Sequence, residues 1–94
     1  MRQFYVYMMT NKYHNVLYVG MTSDLLRRVQ EHRTGALPGF TKRYNVKKLV
    51  YYEVYGDART AIAREKQLKA GSRRTKDALV ERSNPGWKDL YPVP

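Results

Sequence analysis

Residues 3–10 are apolar or aromatic at most positions, with Phe4, Val6 and Met8 alternating against Tyr5, Tyr7 and Met9. A period of two predicts a strand. The polar run Asn11-Lys12-Tyr13-His14-Asn15 breaks it as a turn. Residues 16–20 (Val-Leu-Tyr-Val-Gly) then read as a second strand, and so short a connection implies an antiparallel hairpin. A loop centred near Tyr13 sets Tyr7 roughly opposite Tyr18, which makes the two phenols cross-strand neighbours on one face.

Thr22 or Ser23 can cap a helix running to about Arg33, with Asp24 in its first turn, favourable to the dipole. Leu25, Leu26 and Val29 form its apolar stripe and Gly35 ends it. Residues 34–45 read as a loop punctuated by Pro38-Gly39. Residues 49–55, rich in Val and Tyr, form a third strand. Residues 58–70 form a helix stopped by Gly71. Ser72 caps a further helix to about Arg82, which Asn84-Pro85-Gly86 ends. The tail packs or frays through Trp87, Leu90 and Tyr91. The order ββαβαα argues an α+β domain with a small sheet covered by helices. Its 94 residues suit one domain spanning 1–94, with no internal repeat or linker.

Charge adds the chemistry of the partner: 18 Lys and Arg stand against 8 Asp and Glu, a net +10, and the pI is near 10.0. The first fifty residues carry +7 of this and the rest +3. Such a balance is the footprint of phosphate binding, and 9 tyrosines offer stacking faces for bases. Solubilising surface charge is the blander account. With no cysteine, disulfides and thiolate metal sites are excluded, which suits a reducing cytoplasm. No apolar run approaches the roughly 20 residues of a membrane span, and no signal-peptide pattern opens the chain. The expectation is a cytoplasmic protein with no membrane association.

Three polar residues stand where simple core-building would not place them. Arg28 and His32, four apart, share a helix face at the edge of the apolar stripe. An arginine that snorkels and a histidine that caps the last turn would account for them equally. Glu65 shares a stripe with Ala61, Ile62 and Leu68. A carboxylate there is costly to bury unless paired or bound to a cation. An i,i+4 pair with Lys69 is one explanation; a hard divalent ion, shared with substrate oxygens, is the other. Tyr7 and Tyr18 read as site phenols or as ordinary strand tyrosines. Gly20 permits a close backbone approach by substrate or opens a turn, and Asn84 before Pro85 reads as a turn starter. His14, alone in the hairpin loop, is expected to be solvated. No pair of histidines at metal-ligand spacing, Walker-type loop or G-x-S-x-G elbow is present.

These residues also carry a family likeness. Tyr5-Val6-Tyr7 and Tyr18-Val19-Gly20 resemble the paired GIY and YIG motifs of the GIY-YIG nucleases. Residues 23–32 are similar to the family helix, with its arginine at Arg28 and its histidine-or-tyrosine position at His32. Residues 61–69 resemble the helix that carries the metal-binding glutamate, here Glu65, and Asn84 falls where a late asparagine is frequent. The likeness spans roughly residues 3–91 and is greatest to small stand-alone bacterial members related to the nuclease domain of the UvrC repair subunit. Tyr5 departs from the pattern, replacing the first motif's glycine.

The resemblance implies a three-stranded antiparallel sheet flanked by helices, with the site on one sheet face. It implies a metal-dependent endonuclease using one Mg²⁺ or Mn²⁺ ion anchored by Glu65, which polarises the scissile phosphate. Arg28 would stabilise developing phosphate charge, and His32 would orient water or a tyrosine hydroxyl. Tyr7 or Tyr18 would activate the attacking water; the resemblance does not say which. Lys42, Arg43, Lys47, Lys48, Arg73 and Arg74 would hold flanking phosphates of nucleic acid, with Gly20 and Asn84 also beside it, DNA ahead of RNA, in repair or recombination. With no recognition module apparent, specificity falls to substrate shape or a protein partner. A basic, non-catalytic nucleic-acid binder of the same fold is the competing reading, and so is a small structural protein of a larger complex. Glu65 argues against a pure binder, which has no need of it.

Overall fold

Three antiparallel strands, β1 (Phe4–Thr10), β2 (Leu17–Thr22) and β3 (Lys48–Tyr55), form one sheet in the order β2-β1-β3 in a computed structural model that describes residues 2–92. Helices α1 (Leu25–Thr34), α3 (Ala58–Ala70) and α4 (Arg73–Ser83) flank it. This is the expected α+β architecture in the order ββαβαα, with one addition. The 34–45 segment, read as loop, contains a single helical turn, α2 (Phe40–Arg43). Among the described residues no helix is long and apolar enough to cross a membrane.

As the central strand, β1 is buried on both faces, which explains its almost unbroken apolar run. Val6 and Met8 join Val19, Val50, Ala61, Leu68, Val80 and Trp87 on one side. Tyr7 and Met9 join Leu25, Val29, Val46 and Leu49 on the other. The hairpin register differs from the expected one: Tyr7 pairs with Gly20, and Tyr18 with Met9. The offset is two residues, and an even offset leaves every side chain on its face. Tyr7 and Tyr18 are therefore diagonal neighbours, with ring centroids 6.2 Å apart.

Helix α1 is capped by Asp24, whose carboxylate accepts from the Arg27 amide at 3.2 Å. The Thr22 hydroxyl accepts from the Asp24 amide instead of capping. Gly35, at φ 75°, closes the helix in the left-handed region that glycine occupies freely. Leu26 turns outward, 43% exposed, so the buried stripe of α1 is Leu25, Val29 and His32. Asp57 and Ser72 cap α3 and α4 through the amides of Thr60 and Thr75.

On β3, Met8 faces Tyr51 while Met9 faces Leu49, leaving Val50 as the extra residue of a bulge. Its carbonyl accepts from Asn84 Nδ2 at 3.1 Å. The same amide donates to the Lys88 carbonyl and accepts from the Lys88 N–H. The tail packs rather than frays: Leu90 donates to the Leu49 carbonyl, Asp89 accepts from the Leu49 amide, and Trp87 enters the core. Asn84, expected beside nucleic acid, is thus buried and fully engaged by the backbone. Asn84→Ala strands these groups, each worth about 1–3 kcal/mol when buried and unsatisfied. We expect a loss of about that size or more in urea unfolding; an unchanged midpoint would mean that water replaces the amide.

Candidate active site

The site begins with a cross-strand pair. Tyr7 is completely buried, and its ring lies over Gly20. A Cβ built on Gly20 would be 2.9 Å from Tyr7 Cε1 and nearer still to Cζ and the hydroxyl oxygen. The close approach that Gly20 permits is therefore made by the tyrosine of the neighbouring strand. That passage carries the phenol to His32, with Oη 2.9 Å from Nε2. His32 does not cap α1; it is buried, and Nδ1 lies 3.0 Å from Thr41 Oγ1 on α2. Tyr18 is half-buried and its ring meets that of His32 edge-on at 5.2 Å.

Electrostatics joins two further residues to this group. Burial pushes the Tyr7 phenol well above its ordinary range; Tyr18 and Glu65 add to the shift and Arg28 opposes it. Both charges are thus close enough to act on the phenol. Burial likewise lowers His32 below its ordinary value of 6.5, helped by Arg28 and opposed by Glu31. The site interior consequently favours neutral Tyr7 and neutral His32.

Arg28 and Glu65 are the charged members, and each rests in a loose pair on its own helix. Arg28 Nε donates to Glu31 at 3.2 Å, with its side chain 40% exposed. Glu65 pairs with Lys69 at 3.2 Å, as one reading of the sequence expected. Helix α3 is held by a stronger contact one residue earlier. Arg64 makes two bonds to Glu53 on β3, at 2.9 and 3.0 Å, and Glu53 also accepts from Tyr51 and Tyr55. Burial would raise the Glu53 carboxyl, but these hydrogen bonds outweigh it and keep it below the usual range; Tyr51 is pushed up to about 12. Among the described residues, no group of three or more His, Asp or Glu side chains forms a metal cage. One carboxylate suits an Mg²⁺-like ion, which keeps waters and takes phosphate oxygens as its other ligands.

The basic residues divide between two places. Lys47 and Lys48, with Lys12 and Arg33, line an open cleft of about 580 Å³ that also exposes Tyr13 and Tyr44. Lys42 and Arg43 lie beside it on α2. Arg73 and Arg74 start α4, on the other face of the sheet, and Arg73 is engaged with Asp77 and the His14 carbonyl. His14 is not simply solvated: it stacks on Trp87, centroids 4.9 Å apart, and lies 2.8 Å from Lys48 Nζ. Thr41 is a site neighbour that sequence reasoning missed, since a threonine in a basic loop carries no distinguishing signal.

Residues 3–77 match the GIY-YIG catalytic domain. The chain belongs to the GIY-YIG family. This is a family of nuclease domains, and the two motif strands are the pair that brings Tyr7 over Gly20. Similar proteins include a UPF0213 protein of Haloquadratum walsbyi, 35% identical over 65 residues, covering 69% of this chain and 73% of that one. A UPF0213 protein of Staphylococcus haemolyticus is 33% identical over 81 residues, covering 86% and 98%. Among solved structures, the solution NMR structure of a UPF0213 protein from Bacillus halodurans superimposes with a TM-score of 0.59 at 26% identity. That match covers 97% of this chain and 96% of the other.

Two measurements test the GIY-YIG site as described. His14 is also lowered, by burial and by Lys48 and Arg73, so both imidazoles bind protons less readily folded than unfolded. Their contribution is complete above the unfolded value near 6.5 and is lost as pH falls below it. The urea midpoint should fall below that pH before the carboxylates titrate; a flat profile would show that neither imidazole is perturbed. Gly20→Ala, which forces the strands or the Tyr7 ring apart, should cost about 1–3 kcal/mol. Thermal unfolding measures it, and an unchanged Tm would show that Tyr7 moves aside without penalty.

Proposed function

We propose that this protein is a divalent-metal-dependent endonuclease that hydrolyses phosphodiester bonds in nucleic acid, with DNA the expected substrate. The observation that carries the reading is the buried contact of Tyr7 with His32, beside Tyr18, in a chain that also has Arg28 and Glu65 at the positions of the family's arginine and glutamate. Each has its likeness in the family motifs. A fold kept only for binding would not need a carboxylate at Glu65 close to an anionic substrate.

The chemistry can be assigned residue by residue. Glu65 is the residue to hold a divalent ion, which when bound supplies Lewis-acid polarisation of the phosphate and stabilises the leaving 3′ oxygen. Tyr18, the phenol that is half-buried rather than sealed, orients the attacking water and acts as the general base that takes its proton. Tyr7 stays protonated, held by His32, and completes the wall of the site. Arg28 exchanges Glu31 for the scissile phosphate and meets the negative charge that grows there. Water's oxygen bonds to phosphorus as the bond to the 3′ oxygen breaks, leaving a 5′-phosphate and a 3′ oxygen that takes a proton from solvent water to become the 3′-hydroxyl. Lys42, Arg43, Lys47 and Lys48 hold neighbouring phosphates, which gives affinity that weakens with salt and carries little sequence information.

The test is cleavage of supercoiled, single-stranded, branched and RNA substrates with Mg²⁺, Mn²⁺ or EDTA. Metal-dependent cleavage is expected, and Glu65→Ala should reduce it by at least about a hundredfold, the scale on which removing key electrostatic groups acts. Salt-sensitive binding should survive in that variant. Binding without cleavage across the whole panel would favour the non-catalytic reading.

A further inference from the structure

The one-turn helix α2 is built against its own sequence. Phe40, Lys42 and Arg43 face outward, while Thr41 between them is 4% exposed. A threonine hydroxyl is costly to bury without a partner, and the partner here is Nδ1 of His32, 3.0 Å away. On the far side of the same ring, Nε2 lies 2.9 Å from the Tyr7 hydroxyl. Three buried groups thus form one line: Thr41, His32, Tyr7.

A neutral imidazole has a single N–H, so it donates on one side of this line and accepts on the other. The direction is decided at the Tyr7 end. A phenol is a far stronger acid than an aliphatic hydroxyl, so of the two O–H groups flanking the ring it is the better donor to an imidazole nitrogen, and the Tyr7 proton is directed to His32 Nε2, 2.9 Å away. Nδ1 then carries the imidazole proton and needs an acceptor, which Thr41 Oγ1 supplies. Without the hydroxyl, an N–H at Nδ1 would be buried and unsatisfied, and the ring would place its proton on Nε2 instead. Nε2–H would donate to Tyr7 and turn the phenol's proton away.

We propose that Thr41 is a positioning residue for the reaction, fixing the His32 tautomer that holds the Tyr7 hydroxyl in its working orientation. The inference rests on the nuclease reading for its consequence, but its geometry is independent of activity. The residue also couples the site to the outer surface, because the turn that carries Thr41 inward carries Lys42 and Arg43 outward toward substrate phosphates.

The experiment is nitrogen NMR of the imidazole in ¹⁵N-labelled protein at about pH 8, above the ordinary histidine range, on wild type, Thr41→Val and Thr41→Ser. Wild type and Thr41→Ser should show His32 protonated on Nδ1, and Thr41→Val should shift it to Nε2. Cleavage by Thr41→Val should fall about tenfold or more, as loss of supporting hydrogen bonds around a site commonly does. Thr41→Ser should restore it, with substrate binding unchanged in both. A wild-type ring protonated on Nε2 would overturn the proposal even if Thr41→Val does not fold. So would a tautomer indifferent to Thr41→Val, or a shift without change in rate. A tautomer shift in Thr41→Val with no cleavage by wild type would support the Thr41–His32–Tyr7 line and count against the nuclease reading alone.

Discussion

The passage of the Tyr7 ring over Gly20 is the contact on which the rest of the site depends. It requires a bare α-carbon opposite a fully buried aromatic, and so it fixes the hairpin register, because no other residue of β2 lacks a side chain. Register in turn decides which side chains share the face of Tyr7, and the phenol's reach decides where an acceptor or donor must stand. His32 meets that demand only if α1 is rotated with Leu25 and Val29 inward. Thr41 then meets the demand that His32 makes. Each buried polar group is answered by the next, and among the described residues no buried side-chain nitrogen or oxygen lacks a hydrogen-bond partner.

The opposite face solves a different problem, which is to place Glu65. Helix α3 packs against all three strands with Ala61 and Leu68 buried, but two small contacts on one stripe leave a helix free to slide or roll. Arg64 removes that freedom. Its paired bonds to Glu53 are the geometry in which an arginine–carboxylate contact adds orientation as well as energy, and two tyrosine hydroxyls complete the carboxylate's shell. Glu53 and Glu65 thereby take opposite roles: one carboxylate is saturated with donors and structural, while the other keeps a single exposed lysine as its partner.

Much of this was legible in the sequence because it depends on parity and punctuation. Alternation along β1, the short hairpin and Gly35, Gly71 and Ser72 at helix ends all report local geometry, and the element order followed from them. The tyrosine pairing survived a register error because the error was even. What was not legible depends on distant partners. Asn84 looks like a turn residue, yet its amide serves a bulge on β3 that no local pattern announces. His14 reads as a loop histidine until Trp87, far along the chain, stacks on it. Thr41 and α2 were lost in a segment whose proline, glycine and charges all argue for loop, since four residues gain helical geometry from their surroundings and not from propensity. Asp24 displaced Thr22 and Ser23 as the cap because Thr22 remains in β2 and binds the Asp24 amide.

In the proposed reaction, the distribution of charge separates holding the substrate from acting on it. Groups within the buried line are driven toward their neutral forms, so they keep fixed hydrogen-bond roles across ordinary pH and do not attract counterions. Arg28 and Glu65, the charged side chains assigned to the site, are paired with partners three or four residues away on the same helix. Such pairs are worth only a few tenths of a kcal/mol, so a phosphate or a divalent ion can displace them with little loss. A stronger partner would hold these side chains in better order but make them unavailable, as Glu53 is. On the proposed reading, the weak pairs keep Arg28 and Glu65 near the positions they would work from, while the lysines and arginines outside would carry the salt-dependent share of binding.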